Sequence, residues 1–330
     1  SGFVDDPICA ANGNMIHQDL DLHFPGVAAA LDLRRTDNTL LSHVAGAFGH
    51  GISSIVDMRR TPGADRIEGR RPDGATAAWI RTSSATGTDR WGSAGRRLRD
   101  VAHTADGYEA CTDHRHAYRF DAEGCLVGWR AGVAEVAVTR DSAGSIVTLR
   151  EERSGRRLHL DWADGRVAQI ATDDGRTVSY TYGNGDTTGR IVRVATVSGH
   201  LAYEWDHGRL HAVVDADGVR PFRNEYDDTS RVIRQISPFG RVTTYRYEAA
   251  GLTVITDRTG TRQAMVHDRR GNLTAVIDAD GAAMRLTYDH ADRVTQVVDR
   301  DGATWEYAFD PLSGELTRRV DPDGLSVAWT

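Results

Sequence analysis

Two groups of residues in this 330-residue chain are of the types that do chemistry. The stretch CTDHRHAYRF sets Cys111, Asp113, His114 and His116 within six positions. On a strand the two histidines share a face, and thiolate, imidazole and carboxylate are all zinc ligands. Zinc takes about four such groups in tetrahedral array, and no CxxC or HExxH partner stands elsewhere in the chain. The stretch therefore reads as a polar surface strand, with no metal expected. The second group is a recurring aromatic-acid pair: Trp205-Asp206, Tyr226-Asp227, Tyr247-Glu248, Tyr288-Asp289 and Phe309-Asp310. Catalytic carboxylate pairs work because their environments push two pKa values apart, whereas pairs recurring at intervals share one environment. A core aromatic followed by a turn acid is the simpler reading. There is no nucleophile elbow or phosphate loop, and the Asn-Gly steps in AANGNM and YGNGD signal hairpin turns. No enzyme and no cofactor is expected.

What positions these pairs is a repeat. Gly155, Gly175, Gly199, Gly218, Gly240, Gly260, Gly281, Gly302 and Gly324 follow one another at 19 to 24 residues, about 21 on average. Within a unit, side chains alternate. After Gly302 come Ala303, Trp305, Tyr307 and Phe309 at every second place, and after Gly175 come Arg176, Val178, Tyr180 and Tyr182. Period two with polar residues between is a half-buried strand, not a helix. The aromatic ending the strand (Tyr182, Trp205, Tyr226, Tyr247, Tyr288, Phe309) is followed by a polar turn, then a second strand running to the next Asp-Gly. His267-Asp268 fills the same slot with a polar ring. Each unit is thus one β-hairpin, with a bulge expected where a unit is a residue too long.

One hairpin is marginal alone, so about nine to eleven of them stacked into a curved, spiralling sheet is the expected all-β architecture. A β-propeller, two hairpins per four-stranded blade of about 42 residues, is the alternative. The repeat region is placed at 106–330 and a β-rich head at 1–105, with a polar, glycine-rich linker at 82–107.

Composition narrows the function classes. Net charge is −7, and all 40 basic residues are arginine, spread along the chain without the clustering of a nucleic-acid footprint. The longest apolar run, Gly26 to Leu31, is too short to span a bilayer, and no secretory signal opens the chain. Cys9, Cys111 and Cys125 are too few for a disulfide-stapled fold, so reduced thiols are expected.

The unit itself, in LTYDHADRVTQVVDRDG, NEYDDTSRVIRQISPFG and AFDPLSGELTRRVDPDG, resembles the YD repeat of the Rhs family. The head resembles the domain of unknown function that opens many bacterial Rhs proteins. The matching residues are Asp6-Pro7, Asp19-Leu20 with Phe24-Pro25-Gly26, Arg34-Arg35, and Gly46 to Gly51. Ile52 stands where that pattern has tryptophan, and Thr36 where a tyrosine often follows the arginines. The resemblance implies a secreted or cell-surface bacterial shell segment that encloses a C-terminal toxin, closed by a C-terminal core segment of the same polypeptide. It also implies secretion machinery as a further partner. Family members cut themselves near Asp-Pro motifs, but Asp310-Pro311 and Asp321-Pro322 fall at repeat turns, so no cleavage within this stretch is expected. The sequence stops at Thr330, in mid-strand of the unit begun at Gly324, as a fragment or a chain that pairs with another segment would. A surface adhesion or glycan-binding module, with Trp91, Trp129 and Trp329 as stacking platforms, is the alternative function.

Overall fold

The computed structural model describes residues 3–4, 8–62, 66–72, 74, 76–83, 90–93, 100–104, 106–111, 115–311 and 314–329. The chain forms two compact units, Ile16–Arg223 and Ser1–Met15 with Asn224–Thr330.

In the larger unit, Ile16–Leu22, Leu33–Asn38 and Ile52–Ser54 form a small antiparallel sheet. From Arg59–Pro62 to Arg209–Val214 every strand then pairs antiparallel with the next one in sequence. The smaller unit does the same from Val232–Ile236 to Ser326–Ala328. A propeller blade ends after four strands. The unbroken ladder within each unit rules that alternative out and is the continuous sheet the repeat implies. Strands Arg90–Ser93 and Asp100–Thr104 lie within the stretch 82–107.

The alternating positions become the core. Leu158, Leu160, Val178 and Tyr180 are buried, and so are Ile170 and Val194 on the intervening strands. Fully burying one such side chain contributes about 1.5–3 kcal/mol. In the smaller unit Tyr245 and Ile255 are buried, but Met284, Leu286, Trp305 and Tyr307, in the same registers, are half-exposed.

The turns explain the recurring acids. Asp299 donates its N–H to Ala303 O (2.9 Å), and Gly302 N–H returns to Asp299 O (3.2 Å). The Asp299 carboxylate accepts the N–H groups of Asp301 (3.0 Å) and Ala303 (2.8 Å). The acid that closes the turn thus stands three residues before the glycine, not next to it. Asp289 does the same after the aromatic, accepting from Ala291 and Arg293 at 2.9 Å each. Gly302 has φ +87° and open space where a Cβ would stand, so only the backbone angle demands glycine.

The bulges differ from expectation. They are not confined to overlong units: the register shifts beside the repeat aromatic at Trp162, Tyr182, Trp205, Tyr288 and Phe309. A bulge re-aims the side chain next to it, and here it turns the aromatic toward the preceding hairpin.

Two substitutions test the turn. Asp299→Ala, which strips acceptors from two N–H groups, is expected to lower stability by about 1 kcal/mol. Gly302→Ala, which forces a Cβ into left-handed backbone, should cost about 1–2 kcal/mol. Chemical denaturation of the whole chain measures both, and an unchanged midpoint for Asp299→Ala would remove the capping role.

Candidate functional site

Five of the strand-ending aromatics, Trp162, Tyr182, Trp205, Tyr247 and Tyr288, donate a hydrogen bond to a carbonyl 14 to 16 residues earlier in the chain. Tyr182 donates to Val167 O (2.7 Å), Trp205 to Ile191 O (2.7 Å), Tyr247 to Val232 O (2.6 Å) and Tyr288 to Leu273 O (2.7 Å). An arginine just before each of several acceptor residues lies over the same ring. Arg166 covers Tyr182 at 4.6 Å, Arg190 covers Trp205 at 5.1 Å, Arg231 covers Tyr247 at 4.8 Å and Arg293 covers Phe309 at 4.9 Å. The turn acid holds the arginine in turn, Asp227 to Arg231 and Asp289 to Arg293, both at 2.7 Å. Aromatic, acid and arginine therefore form a staple between hairpins. Tyr226 accepts a hydrogen bond from Asn224 at 3.5 Å, and His267 fills its slot buried, its Nδ1 3.3 Å from Gly251 O. Gly218, Gly240, Gly260, Gly281 and Gly324 share the left-handed turn conformation of Gly302.

The densest polar constellation lies in the larger unit and is buried. Strand alternation puts Asp19 and Asp21 on one face of Ile16–Leu22, beside Arg35 on the paired strand. Arg35 is 2% exposed. Its Nε and Nη2 donate to the two oxygens of Asp21 at 2.6 and 2.8 Å, and Nη2 also donates to Tyr203 Oη (2.8 Å) and Asp19 (3.4 Å). Tyr180 donates to Asp21 (2.6 Å) and Tyr203 to Asp19 (2.8 Å). His17 Nε2 lies 3.1 Å from the other Asp19 oxygen. The guanidinium carbon stands 5.5 and 5.4 Å from the centres of the Tyr180 and Tyr203 rings. Burial disfavours each charge, but the pairing outweighs it. Asp19 is held at about 2 by its hydrogen bond from His17 and the Arg35 charge, and Arg35 is pushed well above its ordinary value by Asp21 and its neighbours.

Asp37, facing His17 across the strand pair, is the exception. One of its oxygens is buried with no hydrogen-bond partner among the described residues. Burial, only partly offset by His17, Arg190 and Arg35, lifts its pKa to about 7. Asp37 apart, the cluster has its donors and acceptors matched to one another, and Asp19 and Asp21 also line a cavity of about 650 Å³. The cluster locks Ile16–Leu22 and Leu33–Asn38 onto the strands Thr177–Tyr182 and Gly199–Asp206.

Cys111 lies 3.8 Å from Glu109 and His116 is exposed; Asp113 and His114 lie outside the described residues. Among the described residues no three His, Cys, Asp or Glu side chains could hold a metal ion. The three cysteines form no disulfide with one another and are half-buried. Trp129 is buried and donates to Ala30 O (3.2 Å), which removes it as a stacking platform. Trp329 is 46% exposed, and the side chain of Trp91 lies outside the described residues, as do Asp6 and Pro7.

Two findings escaped the reading of the sequence. The arginine-to-aromatic spacing of 15 or 16 residues was visible in it, as a second periodicity beside the glycines. The pairing of Arg35 with Tyr180 and Tyr203 was not, because nothing local marks partners so far along the chain.

Removing the cation strands two buried carboxylates, so Arg35→Met should cost about 3–5 kcal/mol, against about 1 kcal/mol for Tyr203→Phe; equal losses would mean the pairing is not what anchors these strands. The carboxylates also fix a pH dependence. Asp37 is raised in the fold, so its stabilising share is complete below about pH 4 and lost as pH climbs toward 7. Asp19 is lowered, so its share is lost as pH falls from about 4 to 2. Stability should therefore fall between pH 4 and 7, less steeply in Asp37→Asn. Parallel pH curves for the two proteins would exclude Asp37 as the source.

Residues 5–79 match the family model described as domain of unknown function DUF6531. Residues 226–262, 267–304 and 288–326 match the RHS repeat model. No curated protein matches the chain. Among solved structures it is similar to the Photorhabdus luminescens Tc holotoxin pore with a mutated TccC3, at 11% identity and TM-score 0.49, over 82% of this chain and 17% of that one. The TcdB2-TccC3-Cdc42 crystal structure is similar at 10% identity and TM-score 0.49, over 88% and 18%. The chain thus spans under a fifth of the length of those it matches. With a matching head and three matching repeat segments in order along one polypeptide, this chain belongs to the Rhs repeat family.

Proposed function

We propose that this chain is a wall segment of an Rhs-type toxin shell. It acts by containment: its sheet, with the head segments locked onto it, walls off a C-terminal toxin of the same polypeptide until delivery. The segment itself catalyses nothing. The observation that carries this reading is the buried Arg35 network, which joins head residues to repeat residues through Asp19, Asp21, Tyr180 and Tyr203. A surface held together by such pairing is a rigid wall more readily than an adaptable binding face. The partners on this reading are the toxin and the closing core segment, with a secretion apparatus, and the location is secreted or at the cell surface.

Limited proteolysis of the full-length polypeptide tests it. The C-terminal part should resist cleavage in the intact protein and become accessible in Arg35→Met, whose head is unlocked. A C-terminal part cleaved from the first time point in the intact protein would overturn the proposal.

A further inference from the structure

In the smaller unit, residues 8–15 lie as a strap along the sheet. Gly13 O accepts a hydrogen bond from the N–H of Val232 (3.0 Å), and Thr253 donates to Ala10 O (2.6 Å). Gly13 sits directly in the staple. At φ +72°, a Cβ there would stand 2.4 Å from the Arg231 Cβ and 2.9 Å from the Tyr247 ring, so only glycine fits. Beneath it Val232 is fully buried. The larger unit repeats the device independently: Val167 N–H donates to Ala47 O (2.8 Å), beside the stacked pair Arg166 and Tyr182. After Arg231 and Arg166 the next residue thus turns its N–H away from its own hairpin, and in both cases a small residue's carbonyl takes it.

The smaller unit contains a second copy of the Val232 cleft. Asp289–Arg293 and Asp227–Arg231 form the same turn, with Asp292 at φ +59° where Ser230 has +67°. Arg293 lies over Phe309, 16 residues on, as Arg231 lies over Tyr247. The following residue is Val294, which is half-exposed, and no loop carbonyl docks on it among the described residues. The strap stops short of it, its last reach being Ala11, 3.9 Å from where a Cβ on Gly271 would stand.

We propose that the cleft of Val294, Arg293 and Phe309 binds an extended polypeptide segment through the carbonyl of a glycine. The occupied copy defines the ligand: a backbone acceptor for the Val294 N–H and no side chain at the contact, so that the glycine lies against the arginine stem and the ring. The inference does not rest on the containment reading. It makes the strap one instance of a recurring peptide-docking position on the sheet.

The test is a titration of the full chain with a synthetic peptide of residues 8–15, ICAANGNM, followed through backbone amide NMR signals. The Val294 and Arg293 amides should shift saturably. A peptide carrying Gly13→Val should bind at least about tenfold more weakly, a change that leaves the protein untouched. Val294→Pro, which deletes the N–H, should abolish the shift at Arg293. Absence of a saturable shift at Val294, equal binding by the valine peptide, or shifts confined to Val232 through exchange with the strap would each overturn the proposal.

Discussion

A phenol or indole hydrogen given to a carbonyl of the preceding hairpin is the interaction on which this structure turns. An antiparallel ladder pairs neighbouring strands but does not by itself hold one hairpin's tip to the next. The repeat aromatic does so at every unit where Tyr182, Trp205, Tyr247 or Tyr288 reaches back. The other parts vary from unit to unit: a bulge aims Tyr182, Trp205 and Tyr288, an arginine covers Tyr182, Trp205 and Tyr247, and an aspartate holds Arg231. Phe309 lacks the hydroxyl yet keeps its arginine, so the stacking survives where the hydrogen bond cannot form.

The Arg35 cluster obeys a different logic. Burying a guanidinium and two carboxylates is costly, and apolar residues of equal volume are often as stable. Charges buried this way tolerate only one arrangement of partners, since any shift leaves a charge unmatched. Oily strands could slide along an oily sheet; Asp19 and Asp21 cannot. The cluster therefore specifies where the head strands sit more than it adds to stability.

Much of this was legible beforehand because its causes are local. Alternation after Gly155, Gly175 and Gly302 marked the strands, and the aspartates and glycines marked the turns, since turn chemistry depends on residues four apart at most. Asp299 and Asp301 both precede Gly302, and only geometry shows that Asp299 is the one that caps the turn. The bulges were underestimated because a regular bulge adds the same residue to every unit and so leaves no trace in the period. The buried cluster was opaque for a plainer reason. Asp19 and Arg35 read as polar surface residues until Tyr203, 184 residues after Asp19, is brought to them.

That difference in reach has a consequence for how the chain comes together. The staples span about 15 residues and cost little loop entropy to close, so hairpins can add one after another as the chain emerges. The bonds of Asp21 to Tyr180 and Asp19 to Tyr203 close loops of 159 and 184 residues. The head, though made first, must wait with its carboxylates and Arg35 hydrated until those tyrosines exist. High contact order is thus concentrated in the contacts the head residues make, in this cluster and in the strap of residues 8–15, while the repeat itself is sequentially local. The head strands are made before the strands they dock on, and their docking follows the synthesis of Tyr203.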